Sequence, residues 1–61
     1  MEAEAREKLL SARELAAFLE VPLSTIYFWR YRGEGPRAMR VGRCLRFSMA
    51  DVRAWLERRA D

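Results

Sequence analysis

The residues of this chain with the most binding chemistry to offer are its arginines, eleven of them against a single lysine. Residues 22–47 carry six arginines against Glu34 alone, a net charge of +5, whereas residues 1–21 sum to −2. Each guanidinium is a planar fork that fits a phosphate or a guanine edge. The cluster predicts a polyanionic partner. The alternative is that the base composition of the genome favours Arg and Ala, which would explain the number of arginines but not their clustering.

The stretch from Val21 to Gly33 predicts a helix with an unusual outer face. At about 100° per residue, Ile26 and Trp29 share one face and should anchor the helix in the core. The opposite face presents one hydroxyl and three aromatic rings, those of Ser24, Tyr27, Phe28 and Tyr31. A solvent-facing helix surface is normally polar, so this one is expected to bind a partner. The alternative is that one or two of the rings belong to the core.

Two short helices and a tight turn form the first half of the chain. Ser11 and Glu14 form a capping box that starts the first helix, which should end near Leu19 or Glu20. Pro22 interrupts the chain and suits the opening of the second helix. Gly33 ends that helix as a left-handed residue. The arrangement predicts a helix-turn-helix.

Residues 39–47 predict a β-hairpin. A three-residue loop, Gly42-Arg43-Cys44, would pair Val41 with Leu45 and Met39 with Phe47. That register is the one we expect, because it keeps all four apolar side chains on one face.

The same register predicts that Arg40 and Arg46 lie opposite each other on the outer face, with Arg43 at the tip. Like charges opposed across a ribbon repel, and a nearby phosphate backbone would relieve that repulsion. The alternative is a solvated edge whose charges deter aggregation.

A last helix follows the hairpin. Ser48 is expected to cap it, with Asp51 completing a weaker capping box. Its buried stripe should consist of Val52, Trp55 and Leu56, with Trp55 packed near Trp29. Residues 57–61 should fray.

Several functional classes are disfavoured by composition. The chain has no histidine and one cysteine, Cys44, so we expect no metal site, no cofactor, no internal disulfide and no enzymatic activity. No apolar run suggests a signal peptide or a membrane partner, and the expected location is the cytoplasm. Residues 1–8 should be frayed or flexible, residues 9–61 should form one domain, and the Met1 start suggests a complete small protein.

Several segments, in order and spacing, carry a family resemblance over about residues 9–57. They are Leu9-Leu10-Ser11, Glu14-Leu15-Ala16, residues 24–29, Gly35-Pro36-Arg37, residues 40–43, Leu45-Arg46-Phe47 and residues 51–56. The chain resembles the small excisionases, or recombination directionality factors, which have a MerR-type winged helix-turn-helix. The expected fold is mainly α with a small β-hairpin: a helix-turn-helix, a two-stranded wing and a C-terminal helix.

The resemblance implies a recognition helix in the DNA major groove and a wing on the adjacent minor groove or backbone. It matches Ser24, Tyr27 and Phe28 to groove-facing positions, Arg43 to the wing tip, and Arg40 and Arg46 to phosphate contacts. With their neighbours, the predicted DNA-binding residues are Ser24, Thr25, Tyr27, Phe28, Tyr31, Arg32, Arg37, Arg40, Arg43 and Arg46. Many relatives carry Arg where Phe28 stands, so base preference should differ, with a thymine methyl or a sugar as the contact for Phe28.

The resemblance predicts an excisionase that binds and bends attachment-site DNA and directs integrase-mediated excision of a phage or mobile element. Its partners would be double-stranded DNA, an integrase or recombinase, and further copies of itself bound cooperatively. It would act at the nucleoid of a bacterial or phage-infected cell. One alternative is a small MerR-like or AlpA-like transcriptional regulator. Another is a protein-interaction module that does not bind DNA.

Overall fold

The computed structural model describes residues 9–59, so the expectations for residues 1–8 and 60–61 lie outside the described part of the chain. The elements are β1 (Leu9–Ser11), α1 (Ala12–Leu19), α2 (Leu23–Arg32), β2 (Met39–Val41), β3 (Cys44–Ser48) and α3 (Met49–Arg59). Three helices and one small antiparallel sheet confirm the predicted winged helix-turn-helix class. No helix within residues 9–59 is long and apolar enough to cross a membrane.

The predicted capping box at the start of α1 is confirmed. The backbone N–H of Glu14 donates to Ser11 Oγ at 3.0 Å, and the backbone N–H of Ser11 donates to Glu14 Oε1 at 2.9 Å. Each bond satisfies a backbone donor at the helix start that has no partner within the helix. Ser11 is therefore both the last residue of β1 and the N-cap of α1.

Both helices of the helix-turn-helix end in a residue of left-handed conformation. Glu20 has φ 59° and follows α1, and Gly33 has φ 74° and follows α2. In each turn two backbone N–H groups donate to carbonyls of the last helical turn, including Val21 N–H to Ala16 O at 3.0 Å. The predicted role of Gly33 is confirmed, and the turn at Glu20 redirects the chain within three residues.

The sheet contains one strand more than the sequence predicts. β3 lies in the centre, with β1 and β2 antiparallel on its two sides. β1 pairs with β3 so that Leu10 lies opposite Phe47 and Ser11 opposite Arg46. The expectation of a two-stranded wing was therefore incomplete. β1 is only three residues long and leads directly into a helix cap, so it leaves no alternating pattern of its own.

The predicted register of the hairpin is wrong. Val41 pairs with Cys44, and the loop is the two-residue segment Gly42-Arg43. Gly42 has φ 63°, and positive φ at the first loop residue is what tight two-residue hairpin turns require. The predicted register assumed that both strands of the hairpin bury one face. In the structure only the central strand must do so, because β2 is an edge strand and Val41 is 50% exposed.

The predicted placement of Arg40 opposite Arg46 is wrong for the same reason. Arg40 lies opposite Leu45, and Arg46 lies opposite Met39. Directly opposed residues share a face and neighbours in a strand alternate, so Arg40 and Arg46 lie on opposite faces of the sheet.

The core is formed by residues from α1, α2, β3 and α3. Its buried hydrophobic members are Ala12, Leu15, Ala16, Ile26, Phe47, Val52 and Trp55. The rings of Trp29 and Trp55 pack with centroids 5.0 Å apart, which confirms the predicted contact between the second and last helices. This contact holds α2 against α3.

The last helix differs from the prediction in its length and in one core position. Ser48 Oγ accepts the backbone N–H of Asp51 at 3.0 Å, so the predicted cap is confirmed. The helix continues to Arg59, so residues 57–59, for which fraying is expected, are helical in the structure. Leu56 is 37% exposed, so the predicted stripe is buried only at Val52 and Trp55.

Candidate nucleic-acid interface

The outer face of α2 is an exposed aromatic surface. Tyr27 is 51% exposed, Phe28 54% and Tyr31 89%, while Ile26 on the opposite side is 2% exposed. Ser24 is also exposed. None of the three rings belongs to the core, so that alternative is excluded. We call Ser24, Tyr27, Phe28 and Tyr31 the aromatic face.

Arg32 is held at the end of this face by two neighbours. Its guanidinium carbon lies 5.6 Å from the centroid of the Phe28 ring. Its Nε lies 3.7 Å from a carboxylate oxygen of Glu34, and both side chains are about half exposed. Exposed contacts of these kinds are individually weak. Together they orient Arg32 toward Phe28 and partly offset its charge.

A groove of about 510 Å³ separates the start of α1 and the aromatic face from the hairpin. It is lined by four arginines, together with one tyrosine and small or apolar residues: Ser11, Ala12, Arg13, Leu23, Tyr27, Arg40, Arg43, Cys44, Leu45 and Arg46. No acidic residue lines it. We call it the arginine groove, and Tyr27 belongs both to it and to the aromatic face.

The charges of the arginine groove are largely unneutralised. Within residues 9–59, no carboxylate forms an ion pair with Arg13, Arg40 or Arg43. Arg46 donates through Nη1 to the carbonyl oxygen of Leu45 at 2.7 Å, a bond that fixes its side chain without cancelling its charge. A concave surface lined by charges of one sign concentrates the opposite charge. The groove is therefore suited to an extended anion such as a phosphate backbone.

Arg13 is the groove arginine that the sequence does not predict. It lies more than twenty-five residues before the hairpin, in a segment whose net charge is negative. The pairing of Ser11 with Arg46 brings the start of α1 beside β3, and Arg13 follows two residues later. Recognising β1 as a strand was the one signal that would have placed Arg13 here.

The structure does not bring Arg37 into the arginine groove. Arg37 lines a separate cavity of about 200 Å³ beneath the loop that joins α2 to β2, together with Trp29, Arg30 and Pro36. The groove and this cavity share no lining residue. Thr25 is half-buried, and its backbone N–H donates to Pro22 O at 2.9 Å. The predicted site residues thus lie on the aromatic face with Arg32 and in the arginine groove, while Arg37 and Thr25 lie outside both.

Comparison with models of known protein families gives a match. The model of a family described as a helix-turn-helix domain covers residues 9–60, nearly the whole chain. No curated protein and no solved structure matches. The matched range contains both helices of the helix-turn-helix, the hairpin and α3. The chain therefore belongs to the helix-turn-helix domain family, a membership that supports DNA as its partner.

Proposed function

We propose that this protein is a sequence-specific architectural DNA-binding protein of the excisionase type. The observation that carries the proposal is the arginine groove, whose unpaired charges adjoin the exposed aromatic face. A duplex offers both features a complement, because phosphates line the rim of a major groove wide enough for an α-helix.

On DNA, α2 would enter the major groove with its aromatic face toward the bases. Tyr27 belongs to both surfaces, so a duplex that reaches this ring also reaches the wing. Arg43, in the hairpin loop, would contact a phosphate across the arginine groove from α2. Arg13 would contact the same backbone from α1. Ser24, Phe28 and Tyr31 would face the base edges, with Arg32 beside Phe28, Thr25 behind them and Arg37 toward the flanking backbone.

The excisionase role rests on the sequence resemblance and on two exposed apolar residues of the wing. Met39 and Val41 are exposed apolar residues on the edge strand β2, 37% and 50% exposed. They offer a contact to a second copy bound alongside. Bending the attachment DNA costs about 1–6 kcal/mol. Cooperative binding of several copies would supply that energy and shape the DNA for an integrase.

The test is to let the purified protein select fragments from the genome that encodes it, at moderate salt. Repeated sites beside an integrase gene and an attachment core are expected. A bend at those sites would appear as a mobility shift that depends on where the site lies in the fragment. Enrichment at a promoter without bending would instead support the AlpA-like or MerR-like regulator.

A matched pair of variants connects the selection to the groove. Arg43→Ala removes a groove arginine, whereas Arg58→Ala removes an exposed arginine of α3 that does not line the groove. We expect only the first to lose enrichment. If wild-type protein enriches no DNA and binds duplexes no more strongly at low salt than at high salt, the DNA-binding proposal fails. A protein-interaction module then becomes the better interpretation.

A further inference from the structure

We propose that Phe28 determines base specificity by contacting thymine 5-methyl groups in the major groove, while the arginine groove supplies affinity without reading sequence. This inference rests on the proposed DNA-binding function and deepens it. It names a chemical feature of the target and the side chain that reads it.

The first argument is the chemistry of the aromatic face. Bidentate reading of guanine requires Arg or Lys, and bidentate reading of adenine requires Asn or Gln. The aromatic face contains none of these four residue types. Its hydroxyls can donate or accept and so discriminate weakly between bases. Phe28 forms no hydrogen bonds, and the apolar group that a base pair presents in the major groove is the thymine methyl.

The second argument is the placement of the Phe28 ring. It is 54% exposed on the side of α2 opposite the buried Ile26. The Arg32 guanidinium lies 5.6 Å from the ring centroid and is itself paired with Glu34. These contacts restrict the ring before DNA arrives, which lowers the entropy lost on binding. They also engage Arg32, the arginine beside Phe28, within the protein.

The third argument identifies the occupant of this apolar surface as a duplex. An exposed aromatic surface alone would suit many partners. Here it is continuous, through Tyr27, with the arginine groove, in which no acidic residue is present. The aromatic face and the arginine groove together are complementary to an apolar group that lies between two rows of phosphates. The major groove at a thymine presents such a group, the 5-methyl.

The experiment begins with selection of a duplex by the full chain from a random-sequence library. The selected duplex is then made in two forms, one with thymine and one with deoxyuridine at every thymine position. The two forms differ only in the 5-methyl groups. We expect the thymine form to bind more tightly, by about fourfold for each methyl buried against the protein. An unselected duplex with the same substitutions should show no difference.

Two phenylalanine variants provide the matched comparison. Phe28→Ala should bind both forms of the duplex equally, with its salt dependence intact. Phe18→Ala should keep the preference for thymine, because Phe18 is 52% exposed on α1 and lies outside the aromatic face.

Equal binding of the two duplexes by wild-type protein would overturn the inference, and so would an unchanged preference in Phe28→Ala. In either case salt-dependent binding to DNA would leave the proposed function standing. Failure to bind any duplex would overturn both.

Discussion

Removal of Arg13 tests the arginine groove most directly, because only the tertiary structure places this residue there. Each arginine that neutralises a phosphate contributes about 0.9 to the slope of log affinity against log salt. Arg46 lies on the other face of the sheet from Arg40, so it is not counted with the other groove arginines as a contact to the same backbone. Arg13, Arg40 and Arg43 therefore contribute about 2.7, and Arg13→Ala should lower the slope by about 0.9. Between about 50 and 200 mM salt, the groove's contribution to affinity should fall about 40-fold in wild-type protein and about 12-fold in the variant.

The variant should fold normally, so that the slope reports only on binding. Arg13 is exposed on α1 and forms no ion pair within residues 9–59, and alanine favours helix. Its free energy of unfolding should change by less than about 0.5 kcal/mol. Fluorescence anisotropy of a labelled duplex at four salt concentrations gives the slope, and thermal melting followed by circular dichroism checks the fold.

Arg58→Ala is the matched control, since it removes the same charge from a position outside the groove lining. It should leave the slope close to that of wild-type protein. If both variants keep the wild-type slope, Arg13 does not meet a phosphate and the groove is not the path of the backbone. An equal and large decrease in both would point to net charge rather than to the groove.

Three further changes test the fold that carries the site. Ile26→Ala should lower the free energy of unfolding by about 2–5 kcal/mol in a urea titration, because the side chain is 2% exposed; a loss below about 1 kcal/mol would show that it is not part of the core. Glu20→Gly should raise the melting temperature, because φ 59° costs a residue with a side chain about 1–2 kcal/mol, and a lower melting temperature would contradict this. Gly35→Ala should destabilise the fold by about 1–3 kcal/mol. The reason is that φ at this position is 86° and the added Cβ would lie 3.1 Å from Trp29 Cβ. An unchanged melting temperature would refute the close contact.

All helix boundaries except the end of α3 were predictable, because they depend on hydrogen bonds between residues close in sequence. The bonds at Ser11 and at Ser48 each span three residues. The left-handed turn at Gly33 requires only that residue and the helix before it. The aromatic face was predictable for a related reason, since the helical period alone puts Phe28 and Ile26 on opposite sides.

The hairpin register could not be predicted from the hairpin residues alone. Apolar side chains at Met39 and Val41 favoured burial, and nothing local showed that β2 lies at the edge of the sheet. That fact depends on β1, whose pairing with β3 joins residues 35 positions or more apart. Once β3 has a partner on each side, its own Leu45 and Phe47 supply the inward face, and β2 is left to project as a wing.

Sequence by itself therefore determined the fold class, the ends of the first two helices, the start of the third, the exposed aromatic face and the basic character of the middle of the chain. Each follows from residue type and short-range spacing. Tertiary structure alone decided which arginines act together: it brought Arg13 to the wing, put Arg40 and Arg46 on opposite faces of the sheet, and left Arg37 in a separate cavity. The physical reason is that a sequence gives only the net charge of each segment. The electrostatic potential at a surface depends on the distances between charges, which long-range strand pairing and core packing set.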